Sequence, residues 1–251
     1  MTDGLFDLSG KTACVTGASA GLGEYAARFL VQRGVAVVGV ARRGDRLQQW
    51  RQASGGRTAA VVADLSDTAA VPDVARQVCA AFGPPDILIN AAGINTRQAA
   101  GEVTPQGWAV TLDLNLTTPF FLAQNFAEMM QDKGWGRIIN FASLQTFRAF
   151  PGGIAYGASK AGVAQMTRAM AEAWSPFGIN ANAIAPGFFK TELTAAVFDD
   201  SERSARNAAQ TCIGRNGVVE DLAGPLQFLC SDASAYVTGQ ILSVDGGYTA
   251  K

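Results

Sequence analysis

An α/β architecture, one parallel sheet covered by helices on both faces, is the fold this chain predicts, and three observations carry the expectation. Short apolar, β-branched runs alternate with longer amphipathic segments from one end to the other. A glycine-rich turn joins the first of these runs to the first helix-forming segment. No linker, repeat, charge block or low-complexity tract interrupts the alternation, and 251 residues suit one large domain spanning 1–251.

The elements follow in order. Strands are expected at 12–16, 35–40, 58–63, 87–90, 137–141, 180–184 and 241–244, each a short apolar run, with helices filling the gaps. The clearest helix is 161–174, where Val163, Met166, Ala169, Met170 and Ala173 recur at helical spacing before Pro176 and Gly178 end it. The least regular stretch is about 188–217, with a polar cluster at 199–203. Placed after the carboxyl end of a strand, it reads as a substrate-covering lid or as an ordinary surface helical hairpin.

Composition excludes several functions. With 20 Lys plus Arg against 21 Asp plus Glu and 16% charged residues, there is no footprint for nucleic acid or an anionic membrane. The absence of histidine rules out a Ser-His-Asp triad, an HExxH zinc helix and any His-ligated metal, and no metal is expected. Cys14, Cys79, Cys212 and Cys230 are scattered without a CxxC pair, as buried thiols in a reducing cytoplasm would be. The opening MTDGLFDLSGK has two Asp and no basic segment before an apolar one, so it does not read as a signal peptide. No apolar run reaches membrane-spanning length, and a soluble cytoplasmic protein is expected.

The turn Thr16-Gly17-Ala18-Ser19-Ala20-Gly21-Leu22-Gly23 lets a pyrophosphate approach amides at a helix N-terminus. About twenty residues on, where an acid would read the adenosine ribose of NAD, stand Arg42 and Arg43, which can pair with the 2′-phosphate of NADP. NADP(H) is favoured, with NAD(H) open. Asp64 can accept from the adenine amino group with Leu65 flanking the ring; capping a helix explains Asp64 equally well.

Proton transfer has to come from elsewhere than histidine, and Tyr156-Gly157-Ala158-Ser159-Lys160 offers it. On a helix, Tyr156 and Lys160 share a face, and an ammonium near a phenol lowers its pKa. Ser143 lies thirteen residues before Tyr156, and Asn115 follows Asn90-Ala91-Ala92-Gly93.

With these spacings, together with Pro186-Gly187 and Val244-Asp245-Gly246-Gly247, the whole chain resembles the short-chain dehydrogenase/reductase family. The resemblance implies a Rossmann-type domain with about seven parallel strands, a nicotinamide dinucleotide cofactor, and hydride transfer between a secondary alcohol and a ketone. It implies Tyr156 as general acid/base, Ser143 polarising the substrate oxygen, Lys160 lowering the Tyr156 pKa and holding the nicotinamide ribose, and Asn115 placing a relay water. Gly17, Ser19, Ala20, Gly21, Leu22, Gly23, Asn90, Ala91, Ala92 and Gly93 would then face the cofactor, as would Ile184, Pro186, Gly187, Phe189 and Thr191, the last through the carboxamide. Ala20 departs from the basic residue that many NADP-using relatives carry in the turn. A homotetramer is implied as well.

Within the family, the run 179–193 looks like gluconate 5-dehydrogenases and related sugar-acid or polyol dehydrogenases. Arg97, Gln145 and Arg148 sit on loops expected to border the substrate crevice, with Arg97 the first choice for a substrate carboxylate. Phe147, Phe150, Phe188 and Phe189 suit instead a lipid-like or cyclic ketone, which leaves a 3-oxoacyl carrier-protein or other carbonyl reductase as an alternative. A dinucleotide-binding sensor or scaffold without turnover is the reading from another class.

Overall fold

The computed structural model describes residues 3–251. Met1 and Thr2, which begin the segment read for a leader, lie outside the described residues. Seven strands form one sheet in the order β3-β2-β1-β4-β5-β6-β7, and every pairing is parallel. The strands are β1 (Thr12–Thr16), β2 (Ala36–Ala41), β3 (Thr58–Val62), β4 (Ile87–Asn90), β5 (Gly136–Phe141), β6 (Ile179–Pro186) and β7 (Ile241–Val244). All seven expected strands are present. The second is displaced by one residue, because its register on β3 pairs Ala41 with Val62, and the sixth runs two residues further, because Pro186 still pairs with Val244 of β7.

The helices are α1 (Gly21–Gln32), α2 (Gly44–Ser54), α3 (Val71–Phe82), α4 (Pro105–Leu112), α5 (Thr118–Lys133), α6 (Ile154–Trp174), α7 (Ala195–Phe198), α8 (Ser201–Gln210) and α9 (Ala223–Cys230). Side chains alternate across each strand, so neighbouring residues feed two apolar layers. Val15 and Val37 pack under Phe29, Leu30, Trp50 and Leu226 on one face. Cys14 and Val38 pack with Val74, Val78, Leu122, Phe126 and Met170 on the other. Burial on both faces is what allows a parallel sheet, and it explains the continuous apolar runs in the sequence.

Helix α6 begins at Ile154, seven residues before the segment with clear periodicity, directly after Pro151-Gly152-Gly153. Its first turns lack the apolar stripe because they present Tyr156 and Lys160 to a cleft. Helices α4 and α5 are joined by a π turn at Asp113–Thr117. Pro119 has no N–H for the carbonyl four residues back, that of Asn115, and the ladder widens there. Between β1 and β4 the strand order reverses direction, which leaves a crevice at the carboxyl ends of the strands.

Candidate active site

That crevice is a cleft of about 830 Å³. Its floor is tied together by Thr16, whose hydroxyl accepts from the N–H groups of Ala91 and Ala92, both at 3.1 Å. The glycine turn is packed too closely for side chains. A Cβ on Gly17, whose φ is 73°, would lie 2.9 Å from the Ala92 nitrogen, and one on Gly23 would lie 2.5 Å from the Gly17 oxygen. Helix α1 starts with Ala20 as its N-cap, so no side chain accepts from its first-turn amides. Those donors, the helix dipole and the bare backbone fit a pyrophosphate. A dinucleotide would rest on Gly17 and on the run from Ser19 to Gly23, with Ala91, Ala92 and Gly93 opposite; all of these line the cleft.

At the adenosine end, Arg42 and Arg43 line the cleft as expected. Arg43 donates to the Ser19 hydroxyl at 3.4 Å. Asp64 does not cap a helix, because Asp67 caps the next one, the short turn Thr68–Ala70. Asp64 instead accepts from the N–H and hydroxyl of Ser66 at 3.0 and 2.8 Å, and it faces the cleft beside Leu65, 3.6 Å from Arg42. The Ser66 backbone bond foremost, aided by Arg42, holds its carboxyl below the usual range.

At the other end, Ser143, Tyr156 and Lys160 line one stretch of wall. Ser143 caps the short turn Leu144–Thr146, its hydroxyl accepting from Gln145 N–H at 3.1 Å. Thr146 in turn donates to the Lys160 carbonyl at 3.0 Å, locking this turn to α6. Lys160 is 5% exposed; its ammonium donates to the Phe141 carbonyl at 2.6 Å and lies 5.7 Å from the centre of the Tyr156 ring.

The electrostatics differ from the expectation that Lys160 lowers the phenol's pKa. Burial pushes the Tyr156 hydroxyl up, against the Ser143 hydroxyl and the charge of Arg97, which both pull it down. Burial also pushes Lys160 down to about 8. Lys160 aims its charge at the Phe141 carbonyl rather than at the phenol oxygen. This arrangement favours a protonated phenol at neutral pH, able to donate to an oxygen developing negative charge.

Four expected site residues do not line the cleft, and one of them, Ile184, is fully buried in β6. The Asn90 amide lies within the sheet, donating to Asn140 at 2.9 Å and to the Pro119 carbonyl at 3.3 Å. Asn115 stands one layer behind Gly93, because its side chain both accepts from Ile94 N–H and donates to Ile94 C=O, each at 2.9 Å. It also donates to Ser159 at 3.0 Å, and so holds α6 to the loop after β4. Arg148 turns away from the crevice: it donates to the Lys251 carbonyl at 2.6 Å and lies over the Tyr248 ring.

Arg97 and Gln145 do line the cleft. Arg97 is the one non-glycine residue with a positive φ, 52°, among the described residues. The Asn95 side chain accepts from its N–H at 3.1 Å and stabilises that conformation. The Gln145 carbonyl oxygen is buried without a partner. Of the four phenylalanines, Phe150 and Phe188 pack with Tyr248 at ring distances of 5.6 to 6.4 Å. Phe147 is exposed, and Phe189 is buried against Gly217.

Sequence reading missed the Phe141 carbonyl and Glu192. The first is a backbone group and carries no residue signal. The second is a surface carboxylate until the fold sets it 2.8 Å from Arg43.

Comparison with known proteins agrees with this geometry. The family model described as enoyl-(acyl carrier protein) reductase matches residues 17–249. The chain is 40% identical over 248 residues to the gluconate 5-dehydrogenase of Gluconobacter oxydans, covering 98% of this chain and 97% of that one. It is also 40% identical over 252 residues to the 2-dehydro-3-deoxy-D-gluconate 5-dehydrogenase of Escherichia coli, covering 98% of both. The crystal structure of a gluconate 5-dehydrogenase from Burkholderia cenocepacia in complex with NADP and tartrate superposes with a TM-score of 0.93 at 36% identity, covering 99% of this chain and 98% of that one.

Proposed function

The chain belongs to the short-chain dehydrogenase/reductase family, and on that premise we propose that it is an NADP(H)-dependent oxidoreductase of a sugar acid or a related polyol, most similar in action to gluconate 5-dehydrogenases. The observation that carries the reading is one cleft with cations at both ends, Arg42 and Arg43 at one and Arg97 at the other, and a protonated phenol on its wall. A bound nicotinamide supplies or accepts the hydride. Tyr156 gives its proton to the carbonyl oxygen in reduction and takes one from the hydroxyl in oxidation. Ser143 donates to the same oxygen and fixes its position. Lys160 keeps a positive charge behind the phenol and offers donors to a ribose. Asn115 acts by position: it pins the loop after β4 to α6, and it would place a relay water there.

Arg97 can pair with a substrate carboxylate, whereas the Gln145 side-chain oxygen is buried against Gly153 and out of a substrate's reach. Tartrate in the Burkholderia enzyme is itself a hydroxylated acid, which supports this chemistry. The Phe150, Phe188 and Tyr248 cluster favours the second reading, a 3-oxoacyl or other carbonyl reductase, but it forms one wall and leaves Arg97 facing the cleft. A cytoplasmic homotetramer completes the proposal, supported by four free thiols and by Trp108 and Phe121 exposed on α4 and α5. No helix among the described residues is long and apolar enough to cross a membrane.

A panel of keto acids, polyols and acyl thioesters, followed by nicotinamide absorbance with NADP(H) and NAD(H), tests the reading. Turnover of a sugar acid with NADP(H), lost in Tyr156→Phe, is expected. Faster turnover of an acyl thioester overturns the substrate assignment, and no turnover of any substrate favours the sensor.

A further inference from the structure

We propose that Glu192 is a cofactor-selectivity residue whose carboxylate occupies at Arg43 the place that the 2′-phosphate of NADP requires, so that it holds the preference for NADP over NAD below what the arginines alone confer. The inference rests on the cofactor reading above.

Glu192 reaches Arg43 from the far side of the cleft. One carboxylate oxygen lies 2.8 Å from Arg43, and the other lies 3.6 Å from Arg46 of α2. The backbone on either side is held in place. A Cβ on Gly21 would touch the Thr191 side chain at 3.3 Å, and the Leu193 carbonyl accepts from Arg97 at 2.7 Å. The segment after β6 is thus strapped across the cleft by arginines from opposite rims, and Glu192 is aimed at the guanidinium that was assigned to the cofactor phosphate.

The contact is built to exchange. The Arg43 and Glu192 side chains are 44% and 52% exposed, so the pair is well solvated and weak. A phosphate dianion arriving at Arg43 meets a carboxylate already on the same group, and the two like charges repel. NADP must therefore displace Glu192. The 2′-hydroxyl of NAD is neutral and leaves the pair intact. Part of the electrostatic advantage of NADP is cancelled by the lost Arg43–Glu192 pair, and removing the carboxylate restores it.

The test is titration of the purified protein with NADPH and NADH, for the parent and for Glu192→Gln. NADPH is expected to bind about two- to fivefold more tightly in the variant, the range of one exposed ion pair, with NADH unchanged. The gain is expected to shrink in an Arg43→Ala background, where the glutamate keeps only its longer contact with Arg46. Unchanged or weaker NADPH binding in Glu192→Gln overturns the inference, and so does an equal gain for NADH, which would point to simple opening of the cleft. A parent that binds neither nucleotide, or whose NADPH affinity is untouched by Arg43→Ala, overturns the cofactor reading itself and the inference with it.

Discussion

Lys160 shows how one residue trades stability for chemistry. Its folded pKa of about 8 lies below its ordinary value of 10.5. Between those values the unfolded chain binds more protons than the folded one, so the residue's contribution to stability rises with pH across the window and its full penalty applies below it. Lys160→Met removes that dependence. The variant is expected to lose turnover by at least about 100-fold. It should nevertheless melt no lower than the parent at pH 7, and the difference between them should shrink by pH 10, an effect on the order of 2–3 kcal/mol. Melting curves at both pH values check this, and a pH-independent gap would contradict it. Arg97 tests substrate chemistry in the same way. Arg97→Ala should raise KM for a sugar acid by roughly tenfold or more while barely changing that for a neutral ketone, because only the acid loses a charge-assisted contact. Equal changes would remove the proposed pairing.

Among the elements, the first strand, turn and helix depend on contact that only glycine permits. The added Cβ of Gly23→Ala would meet three backbone atoms, the Gly17 oxygen and carbon and the Thr16 oxygen, at 2.5 to 3.0 Å. Backbone cannot rotate aside, so α1 must move off the turn. A loss of about 1–3 kcal/mol, several degrees in Tm, is expected together with weaker nucleotide binding. Gly224→Ala, with nothing within 4 Å of the new Cβ, is the control and should melt at or slightly above the parent. The α4–α5 junction makes a related point. Pro119 is visible in the sequence, yet its effect, a π turn that seats Asn115 against Ile94, depends on the loop after β4 being there to receive it.

For the whole molecule, the open question is the segment 188–217. Its ends are clasped by a bridge between Phe189 and Gly217, and its far turn is tied to Gly246 through the N–H groups of Cys212 and Ile213. Between those ties, α7 and α8 reach the cleft with Val197 and Arg203. If the segment acts as a lid, trypsin should cut at the exposed Lys190, Arg203 and Arg206 more slowly with NADPH and a sugar acid bound. Unchanged cleavage would leave an ordinary helical hairpin.

The order of strands and helices, the glycine turn and the Tyr156, Lys160 and Ser143 set were legible in the sequence, because alternating periods, backbone permissiveness and helical spacing are local properties of the chain. Tertiary structure decided the rest. It carried Asn90 into a sheet amide pair, turned Arg148 onto the C-terminal residues, placed Lys160 against the Phe141 carbonyl and brought Glu192 to Arg43. Those contacts join segments far apart in the chain, and a side chain's partner and its desolvation are set by what the fold packs beside it.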